Sequence, residues 1–212
     1  MTHIYLIRHG ESYANEKLIY IGHTDYDLTE RGHAQAQKTA EYLSNIHVDA
    51  IYSSDLKRAY NTALHTAQMR GMAVETNENL REIYAGDWED VPFDTLVEHY
   101  KTEYKLWLEN VGEAYCVNGE SVKQMQSRFV GEVEKLAKRN DGKTIFIFTH
   151  STPIRVFKAA ADKKSAGEIK DVPWATNSSV THAVYENGEF SVLEYGFNGF
   201  LGDVATFLPT TV

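Results

Sequence analysis

Ile4-Tyr5-Leu6-Ile7-Arg8-His9-Gly10-Glu11 is the stretch that decides the fold. Its first four residues are an unbroken apolar run, the pattern of a strand buried on both faces of a parallel sheet. The run stops at Arg8-His9-Gly10, which places a basic pair just past a strand's C-terminal end. Open α/β sheets keep their chemistry at that end. The pattern recurs at Thr144 to Phe148, which opens into Thr149-His150 and a predicted helix with Pro153 at its first position. Two histidines therefore occupy matching places over one sheet edge.

Working outward, Ala36, Ala40 and Leu43 recur at helical spacing between Thr29 and Ser44, and Ala50 to Ser53 reads as a second short strand. From Asp55 to Arg70, residues Leu56, Ala59, Tyr60, Ala63, Leu64 and Ala67 mark one helical face, which Gly71 ends with a left-handed stop. Phe93 to Val111 is aromatic-rich with helical period, and a loop through Gly112 and Gly119 carries Cys116. Ser121 starts a long amphipathic helix with Val122, Met125, Phe129, Val133 and Leu136 on one side, ending near Asn140-Asp141-Gly142. Ser179 to Tyr195 alternates and turns at Asn187-Gly188, a hairpin signal. The expected architecture is one domain over residues 1–212: a three-layer α/β/α sandwich on a mostly parallel sheet with a mixed edge. Residues 82–119 read as an inserted helical lid. Leu201 to Val212 carry no interpretable pattern, so capping the cleft, packing on the sheet and fraying all stay open.

Composition narrows the function classes. At 212 residues the chain is long enough for a real core and a shaped cleft. With 42% hydrophobic and 24% charged residues it reads as globular, neither disordered nor fibrous. Cys116 is the sole cysteine, so no intrachain disulfide and no cysteine zinc cluster can form, and a reducing compartment is expected. The N-terminus has no basic leader before a long apolar stretch, and no segment approaches the ~18 apolar residues of a membrane span. A cytoplasmic location without membrane partners is the expectation. The net charge of -9 argues against nucleic acid, whose backbone needs a clustered basic surface. Between Glu75 and Glu120, twelve acidic residues face Arg81, Lys101 and Lys105, a balance of 3 - 12 = -9, so the rest of the chain is formally neutral.

Arg58 falls in the first turn of the helix entered through Ser53-Ser54-Asp55, and helical side chains lean back toward the N-terminus. It would face the edge that carries the histidines. A forked guanidinium and a helix N-terminus both suit a phosphate dianion. Asn15 lies on the loop after His9. A zinc enzyme is disfavoured because His3, His23, His33, His47, His65, His99 and His182 show no short paired spacing. A serine hydrolase is disfavoured because Ser151 and Ser53-Ser54 lack the Gly-x-Ser-x-Gly elbow, and no Gly-rich loop ends in Lys-Ser or Lys-Thr.

Leu6-Ile7-Arg8-His9-Gly10-Glu11-Ser12, Asn15, Ser53-Ser54-Asp55-Leu56-x-Arg58-Ala59, Leu80-Arg81-Glu82 and Thr149-His150 together resemble the histidine phosphatase superfamily. The likeness is to its cofactor-independent phosphatase and phosphoglycerate mutase branch. The resemblance implies that His9 attacks phosphorus and becomes a phosphohistidine, with no metal and no cofactor. It implies further that Arg8, Arg58, His150 and Asn15 hold the nonbridging oxygens, while Glu82 protonates the leaving alcohol and then activates water. Ser12, Gly22, His23 and Ser151 are the further candidates for phosphate or substrate contact. In the superfamily's acid phosphatase branch the second histidine is followed by aspartate, whereas His150 is followed by Ser151, which points to Glu82 as the proton donor.

Three departures separate the chain from the mutases of this family. Ile21-Gly22-His23 stands where they resemble Thr-Gly-Trp, Ile83 follows the acid where they carry arginine, and the insertion is acidic where they place a lysine and paired arginines. Arg81-Glu82-Ile83-Tyr84-Ala85-Gly86-Asp87-Trp88-Glu89 is instead similar to phosphatases of the branch. The expected activity is hydrolysis of a small-molecule phosphomonoester with an uncharged, aromatic or cationic leaving group. Mutase-like phosphoryl transfer and a weakly catalytic phospho-ligand binding module are the alternatives. Tyr84, Trp88, Phe93, Tyr100, Tyr104, Trp107 and Tyr115 are expected chiefly to pack the lid, and some to border the phosphate pocket. The sequence leaves substrate, pathway, pH optimum and oligomeric state, monomer or homodimer, open.

Overall fold

The computed structural model describes residues 1–206, and the last six residues lie outside it. Its centre is β1 (Thr2–Arg8), flanked by β6 (Thr144–Thr149) in parallel and by β7 (Val180–Glu186) antiparallel. With β3 (Ala50–Ser53), β4 (Val74–Thr76) and β8 (Glu189–Phe197) they form a six-stranded sheet in the order β4-β3-β6-β1-β7-β8. The first four strands run parallel, β7 runs against them and β8 turns back antiparallel to β7, which is the mixed edge that the alternating tail predicts. Asn187 (φ 52°) and Gly188 (φ 86°) both take left-handed backbone at the β7–β8 turn, as a tight hairpin requires.

The apolar run of β1 is buried because both sheet faces are covered. Ile4 and Leu6 point into a cluster with Phe129, Val133 and Phe157, while Ile7 points the other way onto Leu43, Ile51, Ala63, Phe146 and Phe148. The first cluster includes side chains of α6 (Val122–Arg139) and α7 (Ser151–Ala161). The second includes α2 (Glu30–Leu43) and α3 (Lys57–Arg70). Helix, sheet and helix make three layers. The caps read from sequence hold: Thr29 accepts the Gly32 N–H, Ser121 forms a capping box with Gln124, and Gly71 ends α3 at φ 63°.

Three details differ from the sequence reading. The helix after β6 begins at Ser151 with His150 as its N-cap, so Pro153 is its third residue, not its first. A proline fits there because the N–H groups of a helix's first turn have no intrahelical partner. Asn15 lies not on a loop but in α1 (Tyr13–Glu16), a single turn stabilised by reciprocal bonds between Ser12 and Asn15. At the C-terminal end, residues 199–204 pack over α2: Leu201 is fully buried, and Gln35 Nε2 donates to the Val204 carbonyl at 2.8 Å. What was left open for 207–212 lies outside the described residues.

Residues 80–121 run from a strap through β5 (Val91–Pro92), which pairs with β2 (Ile19–Tyr20), into α4 (Phe93–His99) and α5 (Lys101–Glu109). No helix among the described residues is long and apolar enough to cross a membrane.

Candidate active site

Neighbouring parallel strands deliver the two histidines. Arg8 and Thr149 are register partners on β1 and β6, and the chain leaves both strands together, with the His9 N–H donating to the Thr149 carbonyl at 3.0 Å. The imidazoles of His9 and His150 meet with ring centroids 5.1 Å apart. His9 Nδ1 lies 2.6 Å from the Gly10 carbonyl oxygen, an atom that can only accept, so Nδ1 carries the proton and the Nε2 lone pair is free. Gly10 is required by a close approach: a Cβ there would lie 2.5 Å from the Gly32 carbonyl oxygen. Burial, with Arg58 and Arg8 adding positive charge, holds His9 well below the ordinary histidine range, so its ring is neutral at pH 7.

Around that nitrogen stand cations with donors to spare. Arg8 Nη1 donates to the Ala175 carbonyl at 2.6 Å, while Arg58 donates through Nη2 to Gly22 at 2.7 Å and through Nη1 to Thr24 at 3.0 Å. Arg8 Nε, Arg58 Nε and His150 Nδ1 are buried with no hydrogen-bond partner among the described residues. Such orphans are rare in folded proteins and need an explanation. Burial lowers both guanidinium pKa values only to about 10, so both groups stay charged near neutrality. His150 Nε2 lies 2.9 Å from Ser54 Oγ, which also accepts the Leu56 N–H at 3.4 Å. If the Ser54 hydroxyl proton goes to Nε2, the Nδ1 of His150 is the donor. The Asn15 Oδ1 accepts from Ser12 N–H and Asn177 Nδ2, which leaves the Asn15 amide NH₂ without a partner among the described residues.

Glu82 enters from the strap. Its carboxylate accepts the Ile83 N–H at 2.9 Å and, from the first turn of α7, the Thr152 N–H at 3.2 Å. Burial outweighs these bonds and the attraction of Arg58, so its pKa is raised. The strap is held from two sides. Arg128 on α6 donates to the carbonyls of Asn79, Arg81 and Glu82, and pairs with Glu120. Opposite, Glu89 accepts the N–H groups of Gly22 (3.0 Å), His23 (2.6 Å), Thr24 (3.1 Å) and Ala85 (3.2 Å). Arg81 forms an ion pair with Asp55 through Nε and Nη2, outside the histidine pocket.

These groups border one cleft, a concave, partly enclosed site of the kind that holds small ligands. Its floor, charged through Arg8 and Arg58, is made of Arg8, His9, Arg58 and Glu82, which are 6%, 4%, 1% and 8% exposed. Asn15, Ser151 and Thr152 add polar atoms. Sequence reasoning thus put Arg8, His9, Asn15, Arg58, Glu82 and Ser151 on one cleft, with His150 packed against His9 behind it.

Three candidates sit elsewhere. Ser12 is fully buried as the cap of α1. Gly22 does not border the cleft; its carbonyl is spent on Arg58, and a Cβ on it would lie 2.0 Å from the Ile83 carbonyl oxygen. His23 turns behind the strap, where Nε2–H donates to the Glu82 carbonyl at 3.0 Å and the ring tilts against Tyr84. Both residues brace Arg58 and Glu82 because the 22–24 backbone is pinned to Glu89. Of the seven aromatics singled out in the insertion, Phe93 and Trp107 reach the cleft, Trp88 and Tyr104 are buried in the core, Tyr100 packs half-buried against that core, and Tyr84 and Tyr115 are exposed. Sequence reasoning missed Glu89, Arg128, Asn177 and Trp174. No local pattern marks them, since their main partners lie far along the chain: Glu89 holds the N–H groups of residues 22–24, Arg128 the carbonyls of Asn79, Arg81 and Glu82, Asn177 the His9 carbonyl, and Trp174 stacks on Trp107.

Comparison with known proteins gives the same picture. The family model of the histidine phosphatase superfamily (branch 1) matches residues 4–198. Phosphoserine phosphatase 1 of Hydrogenobacter thermophilus is 35% identical over 160 residues, 76% of each chain. The adenosylcobalamin/alpha-ribazole phosphatase of Escherichia coli is 31% identical over 69% of this chain and 72% of its own. Among solved structures, Bacillus stearothermophilus YhfR superposes with a TM-score of 0.91 at 28% identity, covering 95% of this chain and all 100% of the other. Phosphoserine phosphatase from Entamoeba histolytica, in complex with 3-phosphoglyceric acid, gives 0.85 at 28% identity, with 95% and 100% covered. With a family model that matches nearly its whole length and a fold shared with the relatives' solved structures, the chain belongs to branch 1 of the histidine phosphatase superfamily.

Proposed function

We propose that this protein hydrolyses small-molecule phosphomonoesters through a phosphohistidine on His9. The observation that carries the reading is the set of three unpartnered buried nitrogens, Arg8 Nε, Arg58 Nε and His150 Nδ1, around a histidine whose Nδ1 is committed to Gly10. Donors so placed suit the oxygens of a phosphoryl group and cost no reorganisation when charge shifts in the transition state.

In the first half-reaction His9 Nε2 forms a bond to phosphorus as the bond to the ester oxygen breaks. Protonated Glu82 gives its proton to that oxygen and the alcohol leaves. In the second, ionised Glu82 takes a proton from water, the water oxygen bonds to phosphorus, the N–P bond breaks and inorganic phosphate departs. The raised pKa of Glu82 suits both duties, since an acid must hold its proton near the working pH. Residues 82–119 serve in this reading as the lid that brings Glu82, Phe93 and Trp107 over the phosphate. The sole cysteine, Cys116, is a free thiol, and the fold stands without a disulfide, in keeping with a reducing compartment such as the cytoplasm.

Phosphate release from a panel of monophosphates in EDTA is the test, with His9→Ala beside the parent. Turnover in the parent, an acid-labile phosphoenzyme on quenching and a loss of at least about 10³-fold in the variant are expected. Isomerisation of 3-phosphoglycerate without net release would make the protein a mutase, and no turnover of any ester would leave it a binding module.

A further inference from the structure

Above the charged floor the cleft changes character. Its outer wall is built from Ile19, Tyr20, Ile21, Phe93, Trp107 and Trp174. Among the described residues that line the cleft, no charged side chain stands outside Arg8, His9, Arg58 and Glu82. The floor groups are buried while Ile19, Ile21, Phe93 and Trp174 are half-exposed, so a phosphoryl group on the floor would leave its alcohol against the apolar wall. The wall is stiff: Trp107 and Trp174 stack at 6.4 Å, and Phe93 and Trp107 each pack edge-on against Tyr20.

A carboxylate on the alcohol would find no cation there. Arg8 and Arg58 are engaged by carbonyls and by the phosphoryl site, and the Thr152 N–H at the start of α7 is already donated to Glu82. An anion moved out of water without a partner is strongly disfavoured. A quaternary ammonium would look for the faces of the tryptophans, but one cation is already there. The Arg155 guanidinium carbon sits 4.1 Å from the Trp174 ring centre, fixed by bonds to the carbonyls of Val172 and Lys170. It faces the same ring that a ligand cation would need, and repels it.

We infer that the preferred substrates are phosphomonoesters of uncharged, apolar alcohols with an aromatic or alkyl body, and that Trp174, braced by Arg155, is a specificity-determining residue. The inference rests on the phosphatase reading above and departs from the phosphoserine named for two of the relatives.

The experiment compares kcat/KM for 2-phenylethyl phosphate, ethyl phosphate, O-phosphoserine, 3-phosphoglycerate and phosphocholine, esters whose alkyl leaving groups keep intrinsic reactivity comparable. 2-Phenylethyl phosphate should exceed each charged ester by about 100-fold, from an apolar ring buried and a charge not stranded. The ratio of 2-phenylethyl to ethyl phosphate should fall about tenfold in Trp174→Ala and recover in Trp174→Phe. Preference for phosphoserine, phosphoglycerate or phosphocholine, or a ratio unmoved in Trp174→Ala, overturns the inference while the phosphatase reading stands. Failure to hydrolyse any of the five esters, with other monophosphates also inert, overturns the phosphatase reading itself.

Discussion

At the scale of single residues, His9 and Glu82 show how one environment sets two opposite proton states. Burial works against charge on both: it drives the histidine toward the neutral base and the carboxyl toward the neutral acid. A nucleophile that must be deprotonated and a donor that must be protonated are thus supplied by the same desolvation. Glu82→Gln should slow alcohol release in a single turnover by about 10²–10³-fold for alkyl phosphates. For p-nitrophenyl phosphate, whose leaving group needs no proton, the loss should be less than about tenfold. Equal losses for both esters would show that Glu82 is no proton donor. In the parent, the rate of alkyl ester cleavage should fall as pH rises through the raised pKa of Glu82. The acid side should stay flat well below pH 6.5, because His9 resists protonation there. The motif residues were legible in the sequence because they hang directly from strand ends and first helical turns. His23 misled because adjacency along the chain to Gly22 and the pocket loop says nothing of which way a loop faces.

At the scale of elements, the strap from Leu80 to Asp90 is the part that sequence patterning describes least. It has little regular structure, and its position depends on Arg128 from α6 and on Glu89, whose carboxylate gathers backbone N–H groups from two separate segments. Such bonds leave no periodic trace, whereas β1, β6, α3 and α6 announce themselves by burial period and by caps. Consecutive N–H groups converging on one carboxylate form an anion-holding nest. Glu89→Gln replaces an oxygen acceptor with an NH₂ that faces donors. It should cost about 2 kcal/mol, or about 4–8 °C in Tm for a chain of this size. Because the same loop anchors Arg58 through Gly22 and Thr24, kcat/KM should drop by about tenfold as well, with KM rising. Thermal denaturation and steady-state kinetics on the variant check both numbers, and a change in Tm without one in KM would separate the clasp from the phosphate site.

At the scale of the whole molecule, charge and burial make stability depend on pH in a definite direction. His9, His23, His65, His150 and His182 all have pKa values lowered from 6.5 on folding, mainly by burial. Between those lowered values and 6.5 the unfolded chain binds more protons, so stability is complete above about pH 6.5 and is lost as pH falls below it. Glu82 acts oppositely: raised from 4.5, it favours the folded state at low pH and weakens it as pH rises. One group against five leaves the histidines in control. Urea unfolding between pH 7.5 and 5.5 should show a flat upper end and then stability falling toward acid below pH 6.5, with a slope approaching about 1.4 kcal/mol per pH unit for each of the fully buried His9 and His150 and less for the half-exposed His23, His65 and His182. A flat profile would contradict the buried, neutral state of the pair at the cleft. The fold class, the sheet with its mixed edge and the charged floor were all legible before any coordinates. The outer wall was not, because Trp174 comes from a segment without motif, and apolar residues packed in a core look the same in sequence as those lining a cleft.

The in-register exit of β1 and β6 fixes more than direction. Adjacent strands in any sheet lie about 4.8 Å apart, and the two imidazoles, each one residue beyond a paired strand end, stand 5.1 Å apart. The reacting ring and its neighbour therefore inherit their spacing from a lattice constant of the polypeptide backbone. The ladder sets the distance between the two backbones that carry the rings, and the contacts of His9 to the Gly10 carbonyl and of His150 to Ser54 hold the rotamers that set the rest. The backbone half of this geometry is thus as stiff as the sheet, and it is lost only when the two central strands part.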